Sequence, residues 1–129
     1  MTERERVPAR TTFEPVVGYS RAVREGRHVY VSGTAPVVPD GAVPSPDPYR
    51  QAQRCFQIVL EALGELGASA EHVVRTRAYL VRAEDWEAVG KAHGEAFGEA
   101  RPATTFVVVL RLLDPRWLVE VEADAVVPE

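Results

Sequence analysis

Apolar residues recur along this chain at two spacings, and the switch between them marks out the elements. Ser20-Arg21-Ala22-Val23 and Val29-Tyr30-Val31-Ser32 flank Glu25-Gly26-Arg27, a pattern that predicts a hairpin with Gly26 in the turn. From Tyr49 the spacing lengthens. Tyr49, Ala52, Phe56, Val59, Leu60, Leu63 and Leu66 follow one another at helical intervals and define one face of a helix. Asp47 is placed to cap it, Pro48 takes the first position where a missing N–H costs nothing, and Gly67 ends it. A strand is expected over Val73 to Val81. Trp86, Val89, His93 and Phe97 line one side of a second helix ending near Gly98, and spacing puts Tyr49, Trp86 and Phe97 in the core. Thr104 to Leu110 and Trp117 to Val126 are two more strands. Residues 36–48 hold five of the ten prolines and form a loop, and the first ten residues read as a loose arm. The expectation is a single domain over 1–129, α+β, with two helices on one face of a mixed sheet.

That layout leaves one face of the sheet uncovered. Phe106-Val107-Val108-Val109-Leu110 is apolar on both sides, as a strand buried on both faces would be. A partner subunit is the economical cover, so an oligomer is expected from the pattern alone. In the last strand the alternation separates Val119, Val121, Ala123 and Ala125 from Glu120, Glu122 and Asp124. Carboxylates about 7 Å apart along one face repel unless paired or solvated. Arg75, Arg77 and Tyr79 share a face of the preceding strand and are the natural partners.

Composition mostly excludes. A net charge of −4 and a pI near 5.4 argue against broad nucleic-acid binding. No apolar run reaches the roughly 20 residues of a membrane span, and the charged start gives no signal peptide, so a cytoplasmic place is expected. Cys55 is the sole cysteine and fits a buried, inert thiol. His28, His72 and His93 lie far apart without metal-ligand spacing, and no nucleotide fingerprint is present, so neither metal nor cofactor is implied.

Five stretches in order carry a family resemblance: Gly18-Tyr19-Ser20-Arg21-Ala22-Val23, Val29-Tyr30-Val31-Ser32-Gly33, Val74-Arg75-Thr76, Phe97-Gly98-Glu99 with Arg101-Pro102-Ala103-Thr104-Thr105, and Val119-Glu120-Val121-Glu122-Ala123. Over roughly residues 16–127 the chain resembles the RidA (YjgF-type) imine/enamine deaminases. The resemblance implies a chorismate-mutase-like fold, a homotrimer whose sheets form a central barrel, and small-molecule pockets between adjacent subunits. It places Tyr19, Ser32 and Gly33 at the pocket and makes Glu120 the group that positions water or moves a proton. It also marks departures. Thr104 stands where deaminating members grip the substrate carboxylate with arginine, Phe106 where they often have cysteine, and Gly90 where they often have asparagine. A hydroxyl cannot replace a guanidinium fork, so the chain resembles the arginine-lacking branches. Standard hydrolysis of 2-iminopropanoate is not expected to carry over.

Two further residues are candidates for the pocket. Arg21 shares a strand face with Tyr19 and could supply a cation from another wall, against the plainer reading of a surface arginine in a salt bridge. His93 could reach the pocket wall opened by Gly90, against the plainer reading of a core histidine with one hydrogen bond. The leading expectation is a protein that acts on or binds a small imine, enamine or carbonyl metabolite. The alternative is a non-catalytic module that binds metabolites or partner proteins. An endoribonuclease ranks last, because no basic stripe or exposed aromatic row is present to hold RNA.

Overall fold

Asp47 caps the first long helix as its position requires. In the computed structural model of the chain, which describes residues 4–129, its Oδ2 accepts from the Arg50 N–H at 3.0 Å. Pro48 opens that helix, α2 (Pro48–Glu65). A shorter one, α1 (Glu14–Val17), precedes it, and α3 (Trp86–Phe97) follows. The strands are β1 (Glu5–Val7), β2 (Ala22–Glu25), β3 (His28–Thr34), β4 (Val73–Leu80), β5 (Ala103–Val108) and β6 (Val119–Val126). They form one sheet in the order β1-β2-β3-β6-β4-β5, with β4 and β5 parallel and every other pair antiparallel. The class is the expected α+β mixed sheet.

Two expectations are corrected. The first ten residues are not wholly a loose arm, because Glu5, Arg6 and Val7 pair with Arg24, Val23 and Ala22 as an edge strand. Val7 is buried there, and its apolar side chain gives the segment a reason to dock. Residues 1–3 of that arm lie outside the described residues. Trp86 is not in the core: it is 58% exposed at the first position of α3. The buried place belongs instead to Asp85, one residue earlier, which pairs with Arg82 Nε at 3.0 Å.

The core lies between the helices and one face of the sheet. Val29 and Val31 of β3, and Val119, Val121, Ala123 and Ala125 of β6, meet Ala52, Cys55, Phe56, Val59 and Leu63 of α2. Burying a side chain of this size contributes about 1.5–3 kcal/mol, so the alternation in β6 is a strong constraint on register. Gln51 lies on the same helix face and is buried but satisfied. Its Nε2 donates to Ser45 O and Arg116 O, and its Oε1 accepts from the Leu118 N–H at 2.7 Å. It thereby fixes the segment leading into β6. On the opposite face Arg77 pairs with Glu122 at 3.3 Å and Asp124 at 3.7 Å, while Tyr79 donates to Glu122 at 2.6 Å. The neighbour strand thus pairs Glu122 and Asp124 of the acidic ladder, and among the described residues Glu120 has no such partner. Edge strand β5 turns Phe106 toward the core and leaves Val107 and Val108 exposed, with Leu110 and Leu113 beyond them.

Candidate functional site

The regular pairing of β3 with β6 breaks between Val31 and Thr34. A bulge there takes Ser32 and Gly33 out of the ladder and re-aims what they carry. Gly33 lies beneath Glu120 of β6, so closely that a Cβ at this position would collide with Glu120 Oε2. The absence of a side chain at Gly33 is what lets the carboxylate lie over the bulge.

Arg21 holds the bulge as well. Its Nη1 donates to Gly33 O at 2.6 Å, Thr34 Oγ1 at 3.0 Å and Ser32 Oγ at 3.2 Å. The Ser32 N–H in turn donates to Arg21 O at 2.9 Å. Arg21 is only 7% exposed and makes no ion pair among the described residues. The reading of a surface arginine in a salt bridge is therefore wrong. Its guanidinium carbon lies 5.8 Å from the centre of the Tyr19 ring, and the Tyr19 hydroxyl is 2.6 Å from Thr11 Oγ1.

These groups line one cavity of about 460 Å³, whose remaining walls include Phe13, Val17, Val37, Leu113 and Trp117. Apolar walls converging on a few polar groups are the usual form of a small-molecule site. Burial pushes the Glu120 carboxyl above the usual carboxylate range; the Arg21 charge pulls it back in part, and Glu122 pushes the same way as burial. A larger groove of about 750 Å³ runs between α2 and α3. Its polar lining, Arg50, Gln53, Gln57 and Glu61 among it, belongs to solvent-facing helix surfaces.

The remaining candidates gather elsewhere. Thr76 and Thr104 are neighbours in the parallel β4–β5 register, with their hydroxyl oxygens 2.8 Å apart. His93 Nε2 lies 2.7 Å from Thr76 Oγ1 and 3.4 Å from Thr104 Oγ1. Its ring is surrounded by Phe56, Phe97 and Phe106 at centroid distances of 5.6, 5.2 and 6.1 Å. Burial lowers the His93 pKa, favouring the uncharged imidazole. Gly90 sits one turn earlier on α3, and a Cβ there would meet nothing within 4 Å.

The structure thus unites Tyr19, Arg21, Ser32, Gly33 and Glu120 in one cavity and places Thr104, Phe106 and His93 in a second cluster outside it. Sequence reasoning missed the cavity's apolar walls. Phe13 and Val17 carried a signal, being four residues apart and so on one side of a short helix. Leu113 and Trp117 flank the Asp114-Pro115 turn and carried none. Among the described residues no group of His, Cys, Asp and Glu could hold a metal ion, and no helix is long and apolar enough to cross a membrane. Burial pushes the Cys55 thiol up, and its Sγ faces Val119 O at 3.8 Å, as an inert core thiol would.

An α+β chain with this strand order and a mixed apolar and charged cavity beside its β3 bulge has the chorismate-mutase-like architecture. The family model described as Endoribonuclease L-PSP matches residues 9–127. An uncharacterised protein of Streptomyces coelicolor is 41% identical over 120 residues, covering 93% of this chain and 90% of its own. A RutC family protein of Pyrococcus abyssi is 34% identical over 114 residues, covering 87% and 88%. A solved structure described as a member of the YjgF/YER057c/UK114 family, from Mycobacterium tuberculosis, matches with a TM-score of 0.88 at 42% identity, covering 97% of this chain and all of that one. The chain belongs to the YjgF/UK114 family.

Proposed function

We propose that the cavity beneath Glu120 binds a small imine, enamine or carbonyl compound with an apolar body, and that Glu120 moves the proton in its hydrolysis. The convergence of apolar walls on Glu120, Arg21 and Ser32 carries this reading. A carboxyl raised by burial exchanges its proton closer to neutrality, as a group serving both acid and base steps requires. In the hydrolysis of an imine, Glu120 accepts a proton from the attacking water as the C–O bond forms. Glu120 passes that proton to the nitrogen, giving a carbinolamine, and then carries the hydroxyl proton to the nitrogen as the C–N bond breaks, so that ammonia leaves with a carbonyl product and the carboxylate is regenerated. Tyr19 and the bulge at Ser32 and Gly33 shape the wall against which the reacting carbon is held.

Each chain supplies two separate clusters, and we read them as halves of a site completed in a homotrimer. Thr104, Phe106, Gly90 and His93 of one subunit would face the Glu120 cavity of the next, with exposed Val107, Val108 and Leu113 beside the contact. With a hydroxyl at Thr104 and open space at Gly90, the preferred compound is larger than 2-iminopropanoate. A non-catalytic metabolite-binding module is the second reading, supported by the Thr104 hydroxyl being engaged by its own sheet. Ribonuclease activity ranks last, since a net charge of −4 and a cavity of apolar walls do not suit a polyanion.

The test is imine hydrolysis. An amino-acid oxidase generates imines in situ from alanine and from leucine, and their decay is followed with the protein and with Glu120→Ala. Faster decay of the leucine-derived imine, lost in the variant, is the expected result. No acceleration of either imine would overturn the enzymatic reading and leave the binding module. Sedimentation equilibrium of the same sample checks the trimer.

A further inference from the structure

Arg21 is a buried charge whose structural duty needs no charge. The bulge is held by Nη1 alone, through three neutral oxygen acceptors, and an uncharged amide could make such bonds. Removing a guanidinium from water is expensive unless an anion compensates, yet no carboxylate forms an ion pair with Arg21 among the described residues, and Glu120 acts on it only from beyond contact. Its Nε and Nη2 donate to no described group, although no fully sealed side-chain nitrogen or oxygen lacks a partner. Both atoms therefore keep some accessible surface, and Arg21 lines the Glu120 cavity as well as a smaller one of about 190 Å³ on the side of Thr34 and Arg54.

Nε and Nη2 together form the side of the guanidinium that grips two oxygens at once. Arg10 lines the same cavity, and among the described residues Glu120 is the only carboxylate in its lining. An acidic protein thus keeps a cavity whose cations outnumber its anions.

From this geometry we propose that Arg21 is the anion-holding residue of the cavity, taking a carboxylate on its Nε–Nη2 edge while the ligand's apolar body lies against Phe13, Val17, Leu113 and Trp117. The ligand class is a monoanion with a hydrocarbon body of several carbons. The proposal rests on the cavity being a ligand site, as argued above, and adds which charge it selects and with which residue. The permanent planar fork of arginine suits this better than a lysine would.

The probes are 4-methyl-2-oxopentanoate and its uncharged amide, which share one carbon skeleton. Each is titrated calorimetrically into the wild-type protein, Arg21→Gln and Arg21→Lys, with NMR of the Arg21 Nε–H signal in the wild type. The acid is expected to bind at least about tenfold more tightly than the amide and to weaken with salt. Only the acid should move the Nε–H resonance. Arg21→Gln should lose the acid's advantage while keeping affinity for the amide, and Arg21→Lys should keep part of it. Shortening the body to pyruvate should cost about fourfold per buried methylene.

Equal affinity for acid and amide in the wild type, or undiminished acid binding in Arg21→Gln, would overturn the proposal. Should Arg21→Gln fail to fold, an Nε–H signal indifferent to the acid would overturn it equally. Binding of neither probe would instead remove the cavity reading on which it rests, whereas amide binding without acid preference would spare that reading and remove only the role of Arg21.

Discussion

One methyl group at Gly33 separates the site from the fold. A Cβ there would fall on Glu120 Oε2, and the three atoms nearest to it all belong to the Glu120 side chain. No backbone stands in the way, and Gly33 is not among the glycines of positive φ. Gly33→Ala must therefore push the carboxylate aside without disturbing the sheet. Holding Glu120 off a favoured rotamer costs about 0.5–1.5 kcal/mol. Restricting the unfolded chain at this position returns about 0.4–1 kcal/mol. The net change in stability should lie within about 1 kcal/mol of zero.

The site should lose far more. A hydrogen bond to a charged group is worth about 1.5–3 kcal/mol, which is about 10- to 150-fold in affinity or turnover. The displaced carboxyl should also leave its desolvated position and titrate lower than in the wild type. Urea denaturation measures the first quantity, and NMR titration of carbon-labelled glutamate measures the second. A stability loss above about 2 kcal/mol, or a Glu120 that titrates as before, would refute the placement of the carboxylate over Gly33.

Three further outcomes are expected. Burial raises the folded pKa of Glu120, so its ionisation opposes folding: the stability associated with its proton is full below the unfolded carboxylate pKa and is lost as pH rises through the folded one. Glu120→Gln should then melt higher than the wild type at neutral pH and match it in acid; parallel melting curves would contradict this. Thr76→Val removes the buried hydroxyl 2.7 Å from His93 Nε2 and should cost about 1–3 kcal/mol, with exposed Thr104→Val costing less; the reverse order in urea denaturation would sink the assigned network. Phe97→Ala should cost about 3–5 kcal/mol and Trp86→Ala well under that, because Phe97 is buried and Trp86 is not; equal losses would reinstate Trp86 as a core residue.

The fold was legible wherever one residue type had one physical use. Strict alternation in β6 admits a single register with its valines and alanines inward, and the 3–4 spacing of α2 admits a single inward face. The same spacing misled at Trp86, because periodicity assigns a face but not whether the first turn of a helix has anything to pack against. It passed over Gln51, which continues the inward face of α2 at the spacing of Cys55 and Val59. A polar residue at such a position is either an error of register or a satisfied anchor. The loop carbonyls of Ser45 and Arg116 and the Leu118 N–H decide which.

The site was less legible for a related reason. Tyr19, Ser32, Gly33 and Glu120 could be assembled from motif resemblance, but the state of Arg21 could not, because an arginine on a short strand near the chain start is ordinarily solvated. Three properties of its surroundings change that: the bulge that brings Gly33 O and Thr34 Oγ1 toward one nitrogen, the Tyr19 ring beside the guanidinium, and the absence of a paired carboxylate among the described residues. None is a property of Arg21 or its sequence neighbours alone. The sequence already offered Arg21 as a stand-in for the cation missing at Thr104; its burial and its place in the Glu120 cavity are visible only in three dimensions. If the ligand is held from Arg21, the grip and the carboxyl of Glu120 belong to one cavity of one chain, and position 104 is relieved of that duty. A charge supplied by Arg21, with a hydroxyl in place of a guanidinium at Thr104 and open space at Gly90, is the physical reason to expect a different and larger compound.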